Sequence, residues 1–317
     1  MTRRGFLLLV PLALIGIQPP AHCANAESIL RRTYKADRLY SYVGRQEATL
    51  SLWGSPTKFQ LMFLHQRPNR DMQWPIRPDD NRDHPAGPGP GPGRFMPRGP
   101  QGRRLPAEER LSLLLRNYRL KREGTGQVAG RKATVLSISP RRPGNPSQTL
   151  WIDDDTGIVL RNQLRNCFGA MVSDTAFVKL DLNPGPANKL PFPDPPKRPE
   201  PGFLLLRPTY VPTGYQYVAT EGIEIRGQQA AHLMYTDGLN TISLFQRIRK
   251  DEPPVDDPHR DGPRRDPHPG PLPPWARRGD PHKAPIQIVK RHLEDRSVTL
   301  IGDIPRPELE KMAGSLR

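Results

Sequence analysis

Three consecutive aspartates, Asp153-Asp154-Asp155, followed by Thr156 and Gly157, have the composition of a calcium loop. A calcium loop of the helix-loop-helix kind needs a ligand at its fifth position, glycine at its sixth and a bidentate glutamate at its twelfth. Here glycine falls fifth and Leu164 stands twelfth, so the run predicts a solvated hairpin turn instead. His259, His268 and His282 each follow an Asp-Pro pair, and imidazole beside carboxylate is metal-ligand chemistry. Their spacing fits no zinc pattern, and proline-rich chain does not hold ligands in place. Cys167 has no histidine near it in sequence to act as a base, which predicts an inert, buried thiol. The sequence carries no Gly-x-Ser-x-Gly elbow, His-Glu-x-x-His helix, phosphate loop or dinucleotide fingerprint. No catalytic residue, metal ligand or cofactor is therefore assigned, and binding becomes the leading class of function.

Whatever binds must be presented by ordered elements, and the chain is uneven in where it can form them. Residues 66–104 and 250–285 hold 20 of the 40 prolines and show no hydrophobic periodicity, which predicts two mobile inserts. A third proline-rich stretch, 183–201, reads as a linker between two patterned regions, 27–182 and 202–317. The first region opens with a helix in which Ile29, Leu30, Thr33 and Ala36 share a face. Strands are predicted at 39–52, 58–65, 133–139, 148–152, 158–166 and 171–182, with a helix from Pro106 to Tyr118. In the 58–65 strand apolar residues occur on both faces, so both faces are covered. The second region gives strands at 215–220, 222–226, 230–235, 241–248, 286–292 and 297–301, and a closing helix near Pro307. Successive antiparallel strands with few helices predict the α+β class.

The N-terminus has a signal peptide's layout: Arg3 and Arg4, an uncharged run from Gly5 to Ile17, then small residues at Ala21, Ala24 and Ala26. Residues 1–26 are read as this signal, with cleavage before Glu27; Ala21-His22-Cys23 offers a second site that would leave Ala24 as the first residue. The apolar run is too short for a bilayer span, so no membrane anchor is expected in the mature protein. Export also redirects the formal charge of +16 away from nucleic acid and towards anionic partners in the cell envelope.

Several runs carry a family resemblance. In the first region they are Asn117-Tyr118-Arg119-Leu120, Val128 to Ala133, Ser139-Pro140, Leu150-Trp151-Ile152-Asp153 and Thr156 to Leu160. In the second they are Tyr210 to Tyr215, His232 to Phe245 and Ile301-Gly302-Asp303-Ile304-Pro305. Together they resemble the RseB/MucB family of periplasmic sigma-E regulators. The resemblance implies a curved antiparallel sheet wrapped over helices, like that of the lipoprotein carrier LolA, followed by a smaller antiparallel α+β domain. It also implies a non-enzymatic role: binding the extracytoplasmic segment of an anti-sigma factor and responding to envelope lipid, with lipid or lipopolysaccharide as a further ligand. The alternative within the same fold is a carrier of lipid or lipoprotein. If the sheet encloses a lipid cavity, Phe59, Leu61, Phe63, Val178 and Leu180 are the expected lining. For the protein partner, the turn carrying Tyr235, Asp237, Gly238 and Leu239 is the expected surface anchor.

Overall fold

The computed structural model describes residues 25–51, 56–67, 70–76, 105–185, 200–225, 228–248, 286–293 and 295–317. The segment to residue 24 read as a signal, most of the two stretches read as inserts, and the three Asp-Pro-His histidines lie outside them. Among the described residues no helix is long and apolar enough to cross a membrane.

Helix α1 (Ala26–Leu39) starts where the Asn25 side chain accepts the Ser28 amide at 2.7 Å. Glu27 in its first turn and Arg38 in its last complement the helix dipole. The face it buries is the predicted one, Ile29, Leu30, Thr33 and Ala36. Helix α2 (Ala107–Asn117) follows Pro106, carries Glu108 and Glu109 in its first turn, and buries Leu111, Leu113 and Leu114.

Both helices pack on an eight-stranded sheet formed by β1 (Tyr42–Leu50), β2 (Thr57–Gln66), β3 (Arg70–Pro75), β4 (Tyr118–Val128), β5 (Arg131–Pro140), β6 (Ser147–Asp153), β7 (Val159–Arg165) and β8 (Met171–Asp181). The spatial order is β3-β2-β1-β8-β7-β6-β5-β4, and every pairing is antiparallel. Ile29 and Leu30 of α1 meet Leu111 and Leu114 of α2 over Leu136, Ile138, Leu150 and Ile152. Ala36 meets Tyr42, Phe63 and Phe177 further along the same sheet. On the opposite side of β1–β3, Val43, Met62, Leu64 and Met72 form a second apolar layer. Strand β2 is thus covered on both faces, as its sequence predicts.

Two strands lie where the sequence reading placed none. β3 falls inside the stretch read as the first insert, and pairs with β2 from Leu61↔Pro75 to Gln66↔Arg70. Its buried Met72 and half-buried Trp74 alternate with polar residues, a short signal flanked by proline on both sides. The first insert as read from Gln66 therefore includes a strand, Arg70–Pro75, that belongs to the sheet. β4 was missed because it is an edge strand with little apolar content; Arg119, Lys121, Arg122 and Glu123 are exposed, as suits a strand end that must not pair with other chains.

The Asp153 turn does link β6 and β7 as a hairpin, but it is not a solvated loop. Asp153 is fully buried, and Arg131 grips its carboxylate at 3.0 and 2.8 Å. The Thr156 amide donates to the same carboxylate, while Arg32 of α1 donates to the carbonyls of Asp153 and Asp154. Burial alone would raise the Asp153 carboxyl, but Arg131 and Thr156 outweigh it and hold the group below the usual carboxylate range. The turn ties α1 to the sheet.

The second sheet contains β9 (Gln216–Ile225), β10 (Gln228–Thr236), β11 (Thr241–Ile248), β12 (Gln287–His292) and β13 (Arg296–Gly302), in the order β12-β13-β11-β10-β9. Helix α3 (Arg306–Gly314) covers one face, where Leu309, Met312 and Ala313 close over Leu233, Ile242, Leu244, Val298 and Leu300. Among the described residues, two antiparallel sheets with three helices make the fold α+β, as expected.

Candidate functional site

The runs that carry the family resemblance come together in space. Asn117 and Tyr118 close α2, Gly214 and Tyr215 precede β9, Asp237 to Asn240 form the β10–β11 turn, and Asp303 follows β13. All meet at the junction between the two sheets. The Asn117 side-chain amide donates to the Gly214 carbonyl and the Asp237 carbonyl, each at 2.9 Å, so one residue of α2 clamps two loops of the second domain. Arg110, also on α2, donates to the Gly238 carbonyl at 3.0 Å.

Asp237 is the centre of this clamp. Its Oδ2 accepts the Tyr118 hydroxyl at 2.6 Å and the Asn145 amide at 2.9 Å, both from the first domain. Its Oδ1 accepts the amides of Leu239 at 2.9 Å and Asn240 at 2.7 Å. Burial pushes its carboxyl upward, opposed by these donors, and burial likewise keeps the Tyr118 and Tyr215 phenols neutral. A second carboxylate closes the other side: Asp303 Oδ1 accepts the Cys167 amide at 3.0 Å, and the Asp303 carbonyl accepts the Asn240 side chain at 2.8 Å. Burial, and then the charge of Asp237, raise the Asp303 carboxyl to about 6. Burial beside Asp303 also raises the Cys167 thiol to about 12, so it is an unreactive thiol, although half-buried rather than buried.

The Tyr235 to Leu239 turn is consequently not a surface loop. Tyr235 is buried under an edge-on contact with Tyr217, Asp237 has no exposure, and Gly238 lies against the backbone of α2. Gly238 has φ +99°, and a Cβ there would sit 2.5 Å from the Leu114 nitrogen. Leu239 packs with the first domain's Leu111 and Leu114 cluster. The aspartate-glycine composition that marks an exposed loop in sequence here makes a plug, because glycine is the residue that lets two backbones approach this closely.

Leu239 also lines a cleft of about 230 Å³ beside the clamp. Pro146, Leu164 and Val172 of the first domain face Thr241, Ser243, Ile286 and Ile301 of the second across it, with Asp303 at its edge. The turn between β7 and β8 carries Phe168, which is 46% exposed, next to the Cys167 amide that bonds Asp303. The result is an apolar groove with an aromatic residue on an adjoining turn, walled by both domains. Sequence reasoning missed Phe168, Val172 and Ile301 because the groove is a product of how two sheets dock.

The proposed lipid-cavity residues divide. Phe63 is buried in the core with Tyr42 and Phe177, at 5.7 Å from each ring, and Leu180 packs against that cluster. Phe59 and Leu61 are half-buried on β2. Val178 is 44% exposed and is not a lining residue. Its strand shifts register, with Arg45 opposite Lys179 but Gln46 opposite Phe177, so Val178 is the unpaired residue of a bulge and Phe177 takes the inward position.

A fold of two antiparallel sheets, the larger laid over two helices and locked to the smaller by a buried polar clamp, defines a two-domain α+β protein of the kind in which the junction is shared between domains. Residues 99–196 match the family model of the MucB/RseB N-terminal domain. The sigma factor AlgU regulatory protein MucB of Pseudomonas aeruginosa is 25% identical over 215 residues, covering 63% of this chain and 60% of that protein. The sequence match thus spans under two thirds of the relative's length. In three dimensions the complex structure of Pseudomonas aeruginosa MucA/MucB matches with a TM-score of 0.59 at 21% identity, over 93% of this chain and 99% of the other. MucB in complex with MucA(peri) matches at 0.58 and 22% identity, over 92% and 98%. The chain thus resembles the MucB/RseB N-terminal domain over residues 99–196 and shares the fold of MucB.

Proposed function

We propose that this protein is an exported, non-enzymatic regulator that holds the extracytoplasmic segment of an anti-sigma factor in the groove between its two domains. The observation that carries the reading is the apolar groove itself, in a chain that shares its fold across 93% of its length with a MucB solved together with MucA. An extended segment fits such a site: apolar side chains enter between Leu164, Val172, Leu239 and Ile301, while Asn240 and Asp303 at the edge offer polar contacts. Ordering a mobile segment costs free energy, so affinity is expected in the micromolar to submicromolar range, about −8 to −9 kcal/mol. Regulation by envelope lipid belongs to the same reading, with Phe59 and Leu61 on β2 as the residues left for contact with an acyl chain.

Titration calorimetry with the purified extracytoplasmic segment of the co-encoded anti-sigma factor tests it. Phe168 and Thr241 are both exposed, so Phe168→Ser and Thr241→Glu should leave the fold intact. Each is expected to weaken binding by roughly 1–3 kcal/mol. Unchanged affinity in both folded variants removes the groove as the site. No heat with the unaltered protein, combined with tight lipid binding, moves the function to a carrier.

A further inference from the structure

We propose that Asp237 and Asp303 form a proton-operated latch across the domain junction, one that holds more tightly in mild acid than at neutral pH and so sets how firmly the walls of the interdomain groove are held. Each carboxylate belongs to the second domain and accepts a donor from the first: Tyr118 and Asn145 for Asp237, the Cys167 amide for Asp303. Asn240 couples them, its backbone amide on Asp237 Oδ1 and its side-chain amide on the Asp303 carbonyl. Two like charges, Asp237 buried and Asp303 half-buried, thus share one junction. The ion pairs found among the described residues all lie elsewhere, and Arg110, the cation on α2 at this turn, spends its Nε on the Gly238 carbonyl. The remaining titratable groups facing the pair, Tyr118, Tyr215 and Cys167, are all neutral at physiological pH.

A single proton relieves both the repulsion and the desolvation cost. Asp237 has four donors that favour its charged form, so the proton goes to Asp303. The folded carboxyl is raised, to about 6. Its contribution is therefore fully present below the ordinary carboxylate pKa and is lost as pH rises through about 6. Taking about 6 for the closed junction and an ordinary carboxylate for the open one, the closed form loses about 10-fold in its equilibrium between pH 5 and 7.5. His65 titrates with the same sign on the β2–β3 hairpin, so a global melting curve cannot separate the two.

Hydrogen exchange of the Leu239 and Asn240 amides, corrected for the intrinsic pH dependence of exchange, reads the junction locally in the full chain. Protection should fall about 10-fold from pH 5 to 7.5 in the unaltered protein and fall markedly less in Asp303→Asn, where the raised Asp237 carboxyl is the acid left at the junction. Flat protection in the unaltered protein, or the full change persisting in Asp303→Asn, overturns the proposal. Carbon NMR of the Asp303 carboxyl gives a check that needs no variant: a midpoint near 6 supports the latch and a midpoint near 4 refutes it. Neither measurement involves a partner, so the latch stands or falls separately from what the groove binds.

Discussion

Gly238→Ala isolates the junction with a single methyl group. At φ +99° an alanine pays the left-handed backbone penalty, about 1–2 kcal/mol. The added carbon would also lie 2.5 Å from the Leu114 nitrogen, 2.8 Å from the Leu114 Cα and 3.0 Å from the Arg110 carbonyl, all backbone atoms of a helix fixed in the first domain's core. Nothing flexible can move aside, so the turn must lift. Lifting puts at risk four hydrogen bonds that cross the junction, from Tyr118, Asn145, Asn117 and Arg110. At roughly 1 kcal/mol each, with more for the two made to the Asp237 carboxylate, the whole set is worth on the order of 4–6 kcal/mol. A partial shift should cost about 3–4 kcal/mol in total and separate one cooperative unfolding transition into two. Gly130→Ala is the control: its φ is +73°, but nothing lies within 4 Å of the added carbon, so it reports the backbone penalty alone. Denaturant unfolding followed by tryptophan fluorescence and by circular dichroism would compare them. If Gly238→Ala costs no more than Gly130→Ala, the turn does not bear on α2 as described.

Two further outcomes follow from the first domain. Asp153→Asn removes one partner of a buried bidentate pair and should cost about 3–5 kcal/mol; because the Asp153 carboxyl is held low, its stabilisation is present above the ordinary carboxylate range and lost as pH falls through its depressed value, so acid unfolding measured below pH 4 should be blunted in the variant. Phe177→Ala should cost about 3–5 kcal/mol, whereas Val178→Ser at the exposed bulge should stay within about 0.5 kcal/mol; equal costs in thermal melts would show that the bulge is misplaced.

Periodicity made the long elements readable. The buried face of α1, the two-sided β2 and the closing α3 each follow from spacing, because each has enough apolar residues to show a repeat. β3 and β4 escaped for opposite reasons, one being short between prolines and the other an edge strand rich in charge. Val178 and Phe177 were exchanged because a bulge reverses alternation without leaving a glycine or proline to mark it. The junction was partly legible: the runs Asn117-Tyr118, Gly214-Tyr215, Asp237 to Asn240 and Asp303 were visible as motifs, but their meeting depends on contacts more than 90 residues apart in the chain. Read singly, Tyr235 and Asp237 look like loop residues offered to a partner. Seen together, they are the parts of a lock.

Leu239 belongs to one domain by chain order and to the other by packing, since it sits against the Leu111 and Leu114 cluster while its neighbours hold the groove. A boundary drawn through the linker therefore divides the polypeptide but not the interior. Either half produced alone would lack a piece of its own architecture: the first would bare the socket around Leu114 and Tyr118, and the second would carry an aspartate and a leucine with nowhere to go. Changes to the two halves are for that reason tied to one another, and a substitution that enlarges the socket has its natural compensation some 120 residues downstream, in the plug.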